Sequence, residues 1–312
     1  MAVIRQWLAV AGQAHAATAP STIARQNVVM TRCRAPRARR DRLDTAKLAP
    51  GTLVSVRTHR GLRAAHRRLP SPVFLALVMV AGLGAALLAL GSGQTELRAG
   101  AVLTVGGGWA VSLCLHELGH AVVALRGGDT SVRDKGYLTL DPRRYVDPVL
   151  SIGLPLLLLA IGGIPLPGGA VWIERHRLRS RWVDSAVSLA GPLVNLVLAV
   201  GLTVLVSFTT MPLPLAAVLS WLALVQVLAF LLNLLPVPGL DGWGVLDPHL
   251  SASARRTAAQ VRPFAPLLLF AVLISSNQVS GVLFFVADAV FGAVGGSTGL
   301  AAAGEGLFLF WR

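Results

Sequence analysis

Charge is scarce in this sequence: only 13% of its 312 residues are Asp, Glu, Lys or Arg. A soluble globular domain carries about a quarter, so this chain lacks the polar surface needed to face water. Cysteine is nearly absent too, and the two present, Cys33 and Cys114, are too few for a disulfide scaffold. Hydrophobic residues make up 54%, which excludes disorder throughout. Lipid is the solvent that suits such a composition.

Acidic residues are half as common as basic ones, 14 against 28, and the formal net charge is +14. That charge is not spread evenly. Residues 1–70 hold 14 of the Lys and Arg against Asp41 and Asp44, so this arm carries +12 and the other 242 residues carry +2. A basic arm beside a first span acts as a cytoplasmic retention signal. It also has the composition of an anionic-lipid or nucleic-acid binder, of a transit peptide, or of a segment upstream of a start at Met30. The retention signal is the simplest of these, and no nucleic-acid partner is expected. Residues 1–70 are expected to be mostly disordered.

Long runs without Asp, Glu, Lys or Arg mark the spans. They cover residues 69–95, 99–125 (broken only by Glu117), 148–173, 185–240 and 263–287. The stretch Pro72–Leu90 is continuously apolar and long enough to cross the roughly 30 Å hydrocarbon core as a helix. The 56-residue run 185–240 fits two spans joined at Thr209-Thr210-Met211-Pro212. The run 148–173 is broken by Gly162-Gly163-Ile164-Pro165-Leu166-Pro167-Gly168-Gly169, and 263–287 by Ser275-Ser276-Asn277-Gln278. These runs predict an all-α polytopic membrane protein of about six transmembrane helices. A basic arm at residues 1–70 precedes a membrane-embedded domain over 71–300, and a tail follows at 301–312.

With the arm inside, the second span returns Arg126, Arg133, Lys135, Arg143 and Arg144 to the same side, as the positive-inside rule prefers. A full crossing by 148–173 would put Arg175, Arg177, Arg179 and Arg181 outside. A re-entrant or kinked hairpin is therefore the simpler reading of that run. The expected location is a bacterial plasma membrane, with the N-terminus cytoplasmic.

The second span contains His116-Glu117-Leu118-Gly119-His120. Residues four apart lie about 40° apart around a helix, so both imidazoles share a face and can grip one ion. Glu117, about 100° from His116, can accept a proton from water activated by that ion. A carboxylate in mid-span costs about 3 kcal/mol on insertion scales and usually marks function. Interhelical polar packing would explain one histidine more easily than two with a glutamate. Cys114 lies about 200° round the helix from His116 and points elsewhere. A third ligand must return to the same depth, and Asn233-Leu-Leu-Pro236-Val-Pro238-Gly-Leu240-Asp241-Gly242 is the candidate segment. Its prolines end the preceding helix, and Asp241 is the first charge after the 56-residue run. Asp241 could instead cap the helix that follows. Asn233 could donate to a developing oxyanion or cap carbonyls freed by the prolines.

The pairing of these two motifs resembles the site-2 protease family of intramembrane zinc metalloproteases. Gly136-Tyr137-Leu138-Thr139-Leu140-Asp141-Pro142 resembles the short strand after the metal-binding helix of prokaryotic members. Ala190-Gly191-Pro192-Leu193-Val194-Asn195 resembles their Gly-Pro-x-x-Asn helix, although small residues there also serve ordinary helix packing. The match covers about residues 100–245. It implies one zinc ion per chain, held by His116, His120 and Asp241, with Glu117 as general base and Asn233 at the scissile carbonyl. It also implies that Tyr137, Leu138, Thr139 and Leu140 receive substrate by strand addition. The implied substrate is a transmembrane protein in the lipid bilayer, such as an anti-sigma factor or membrane-tethered regulator.

The sequence also departs from the family pattern. The 120 residues between His120 and Asp241 leave no room for the PDZ domain that many relatives insert, and too few residues follow for a CBS pair. Val171-Trp172-Ile173-Glu174 replaces the expected Pro-Val-rich loop. Other readings are a prenyl-type membrane zinc peptidase, which would need a glutamate as third ligand, and a non-proteolytic metal-binding membrane protein or transporter.

Overall fold

The computed structural model describes residues 70–144 and 171–311, and within them the secondary structure is helical. Helix α1 (Pro72–Leu90) starts at Ser71, whose hydroxyl accepts the Phe74 amide, and proline takes its first position. Helix α2 (Gln94–Gly127) is 34 residues long. The Glu96 carboxylate accepts the Ser92 and Gly93 amides at the start of α2, and Gly128 closes it at φ 123°. A short helix α3 (Ser131–Asp134) follows. Helices α4 (Arg181–Phe208) and α5 (Leu213–Leu234) come next, joined where the Thr209–Pro212 turn was expected. Beyond them lie α6 (Asp241–Leu246), α7 (Ala252–Val261), α8 (Ala265–Ser275), α9 (Asn277–Ala293) and α10 (Thr298–Phe308).

Four helices, α1, α2, α4 and α5, are long and apolar enough to cross a membrane, and α7–α8, bent by 62°, make a fifth if taken together. This is a multi-pass membrane protein with four to five candidate spans among the described residues, and the expected count of about six also includes the run 148–173, nearly all of which lies outside them. The expected span over 263–287 divides at Ser275–Ser276 into α8 and α9, because the Ser276 hydroxyl caps a new helix there. The hairpin expected over 148–173 and the arm at 1–70 fall almost entirely outside the described residues. Residues 301–308, expected in a tail, form most of α10, with Ala301 and Phe308 buried against the core.

Helix α5 is the centre of the bundle. Val218, Val225, Val227, Leu228 and Leu232 on it are fully enclosed. The outer helices instead present Met79, Leu83, Val197, Phe208 and Phe285 outward, an apolar rim suited to lipid. α1 packs on α2, α4 on both α2 and α5, and α9 and α10 close the far side of α5.

The strand expected over Tyr137–Leu140 is a 3-10 turn at Tyr137–Thr139. Gly136 (φ 75°) and Leu140 (φ 58°) are both left-handed, so the backbone curls rather than extends. The Thr139 amide and hydroxyl both bond the Gly136 carbonyl, while the Thr139 carbonyl accepts the Ser71 amide at 2.8 Å. The turn thus ties the start of α1 to the loop after α2, and both lie at one end of the bundle.

Candidate metal centre

His116 and His120 sit one turn apart on α2, both buried, with their Nε2 atoms 3.1 Å apart. The chain returns to them through the break after α5. Pro236 and Pro238 prevent the helix from continuing, and turns close from Val237 to Leu235 and from Leu240 to Val237. Gly239 adopts φ 106°, where a side chain would be strained. Asp241 then opens α6 with its oxygens 3.1 Å from His116 Nε2 and 3.4 Å from His120 Nε2. The capping alternative for Asp241 is not what its side chain does here.

Each imidazole is fixed from behind by α4. His120 Nδ1 lies 2.7 Å from the Val187 carbonyl, which can only accept, so this nitrogen carries the proton. His116 Nδ1 lies 2.5 Å from Asn195 Oδ1 and donates in the same way. Both Nε2 lone pairs therefore face each other and a carboxylate, a cluster of acceptors that calls for positive charge at its centre. For a metal bound at about 2.0–2.1 Å, the edges of a tetrahedron are about 3.3 Å, close to these 3.1–3.4 Å separations. The three donors lie close enough to form a metal site. Cys114 is buried and is not part of this group.

Gly191 on α4 leaves the space that an ion needs. A Cβ built there would come within 2.5 Å of His116 Nε2 and closer still to His120 Nε2. The fit is thus supported by donor chemistry, by spacing and by a gap that only glycine leaves.

The centre opens into a cavity of about 480 Å³ lined by Trp109, Glu117, Val171, Asn233, Trp243 and Arg262, among others. Glu117 is only 2% exposed, and its Oε2 accepts the Val171 amide at 3.0 Å. Asn233, 5% exposed, faces the same cavity and bonds no other described residue, so it does not cap the freed carbonyls. Tyr137–Leu140 lie outside the cavity lining.

The segment that brings Val171 to Glu117 is clamped by the loop after α2. Lys135 Nζ donates to the Trp172 carbonyl and pairs with Glu174, whose own amide donates to Asp129 at 2.8 Å. Asp129 is fully buried and also accepts the Ser131 amide and hydroxyl. Burial pushes its carboxyl up, but bonds from the Ser131 hydroxyl and the Glu174 and Ser131 amides outweigh that and hold it below its usual range. A depressed folded pKa means that the clamp is at full strength above the unfolded value of about 3.9 and is lost as pH falls through the folded one. Asp129→Asn should loosen it at neutral pH by about 1–2 kcal/mol, the scale of a hydrogen bond to a charge. Amide hydrogen-exchange protection over 174–179 checks this: about tenfold lower in the variant at neutral pH, and lowered in the wild type only in acid. Equal exchange in both proteins at neutral pH would show that Asp129 does not hold the segment.

Two mycobacterial proteins, both named "Putative zinc metalloprotease Rip2", align with most of the chain. That of Mycobacterium tuberculosis is 46% identical over 248 residues, covering 78% of this chain and 94% of the relative. That of Mycolicibacterium smegmatis is 42% identical over 249 residues, with the same coverage. The chain belongs to the site-2 protease family. A Bacillus subtilis relative named "Putative zinc metalloprotease YwhC" is 34% identical over 186 residues, 56% of this chain and 81% of its own length. No family model matches the chain, and no solved structure matches it.

Within this site-2 protease, sequence reasoning missed the support behind the histidines. Asn195 and Gly191 read as helix packing, yet one orients His116 and the other leaves room between the rings. A signal was available. Asn195, Gln226 and Asn233 are the only amide side chains in the 56-residue run 185–240, and all three are buried.

Proposed function

We propose that this metalloprotease is an intramembrane zinc endopeptidase that cleaves membrane-spanning protein substrates near the cytoplasmic face. The observation that carries the reading is the convergence of two imidazole Nε2 atoms and the Asp241 carboxylate beside a buried glutamate. His116, His120 and Asp241 would hold the ion. When bound, zinc supplies a Lewis acid that polarises the scissile carbonyl and activates water. Glu117 takes the proton from water and later delivers it to the leaving amine. Asn233, facing the cavity and bonding no other described residue, donates to the oxygen on which charge develops.

Depth supports the intramembrane reading. His116 and His120 precede the end of α2 by eleven and seven residues, which is roughly 10–17 Å along the helix axis. The loop at that end carries Arg133, Lys135, Arg143 and Arg144, which favours a cytoplasmic face. The same rule favours an N-terminus inside, and a bacterial plasma membrane is the location proposed. A transmembrane helix hides its amides in its own hydrogen bonds, so substrate must unwind before it reaches Glu117. Anti-sigma factors and membrane-tethered regulators are the substrate class proposed.

Metal analysis of the purified protein tests this. The wild type should hold one zinc per chain and cleave a membrane-spanning reporter, and His116→Ala or Asp241→Ala should lose both properties. Retention of full zinc by Asp241→Ala would remove Asp241 from the ligand set, and absence of zinc from the wild type would end the zinc reading.

A further inference from the structure

We propose that Gln226, which lines neither the cavity nor the metal position, is a positioning residue that fixes which nitrogen of His116 faces the ion. The proposal rests on the zinc reading above. Gln226 lies in the middle of α5, a largely apolar helix whose other polar side chains are Ser220 and Asn233, and is 1% exposed. An amide there is costly unless its donors and acceptor are all engaged. Its Oε1 accepts from Asn195 Nδ2 at 2.7 Å, and its Nε2 donates to Ser112 Oγ at 3.0 Å. Ser112 in turn donates to the Trp109 carbonyl at 2.7 Å.

The direction of this chain follows from its last member. A backbone carbonyl only accepts, so the Ser112 hydroxyl must donate to it and accept from Gln226. Gln226 then presents its oxygen to Asn195, Asn195 presents its own oxygen to His116, and His116 Nδ1 is left as the donor. The Nε2 lone pair points to the metal as a consequence. His120 needs no such chain, because the Val187 carbonyl fixes its ring directly. Asn195 alone could not do this for His116. Rotated by half a turn, its amide would present N–H to Nδ1, shift the ring proton to Nε2 and remove a ligand atom. Gln226 breaks that symmetry, and through it α2, α4 and α5 together set one tautomer.

The test uses the full chain in lipid nanodiscs, with zinc affinity read by chelator competition and the centre read by visible absorption after cobalt substitution. Gln226→Leu should weaken zinc binding by about 10- to 100-fold and alter the cobalt bands, while Gln226→Glu, which still offers an oxygen to Asn195, should stay within about threefold of wild type. Equal affinity in Gln226→Leu and wild type overturns the proposal. Equal weakening in the Leu and Glu variants also overturns it, since that pattern reports packing. If Gln226→Leu does not fold, Ser112→Ala decides: weakening by about threefold or more supports the chain, and unchanged affinity refutes it. A wild-type protein that takes up no zinc would fail the zinc reading itself, an outcome distinct from variants that bind as the wild type does.

Discussion

Glu117→Gln is expected to keep its zinc and lower peptide hydrolysis by about 100- to 10,000-fold, the usual range for a general base. Zinc should stay because neighbours would hold the ion: the converging donors belong to His116, His120 and Asp241, and Glu117 is not among them. The loop should stay as well, since a glutamine oxygen can accept the Val171 amide as Glu117 Oε2 does. What the amide cannot do is take a proton from water and return it to the departing nitrogen. Paired measurements of zinc content and of cleavage of a membrane-spanning reporter separate these roles. Turnover near wild type would remove Glu117 as the base. Lost zinc would make it part of the metal site, and would overturn the division of labour drawn here.

Gly191→Ala should be almost as damaging although it changes no ligand and no charge. The added methyl group would lie within 2.5 Å of His116 Nε2 and nearer still to His120 Nε2. Neither ring can retreat easily, because Asn195 and the Val187 carbonyl hold them on the same helix that carries the glycine. Zinc affinity is expected to fall by on the order of 100-fold, the upper end of what lost support around a metal costs. Activity should fall with it, and the metal-free protein should also unfold more readily, since overpacking against rings held in place costs about 1–3 kcal/mol. Full zinc occupancy in the alanine variant would show that the ion sits elsewhere.

Much of this arrangement was legible beforehand because lipid imposes simple rules. Charge-free runs marked α1, α4 and α5, and the turn at Thr209–Pro212 fell where two spans had to meet. His116 and His120 declared themselves by helical spacing, and Asp241 by being the first charge after a long apolar stretch. The rest depended on contacts that one-dimensional patterns do not carry. Tyr137–Thr139 curls because two neighbouring backbones are left-handed and Ser71 draws on the Thr139 carbonyl. Gly191 looks like any small packing residue until the rings opposite it are known. Asn195 and Gln226, 31 positions apart, act together only because α4 and α5 lie side by side.

The polar interior of α5 also bears on how the chain is made. A helix that buries Ser220, Gln226 and Asn233 among its apolar residues finds no partners for them in hydrocarbon. During synthesis α2 and α4 emerge before it, already carrying the serine and asparagine that Gln226 requires. Nascent α5 is therefore best delivered sideways into a cleft left by its elders, so that the order of translation is also the order of assembly.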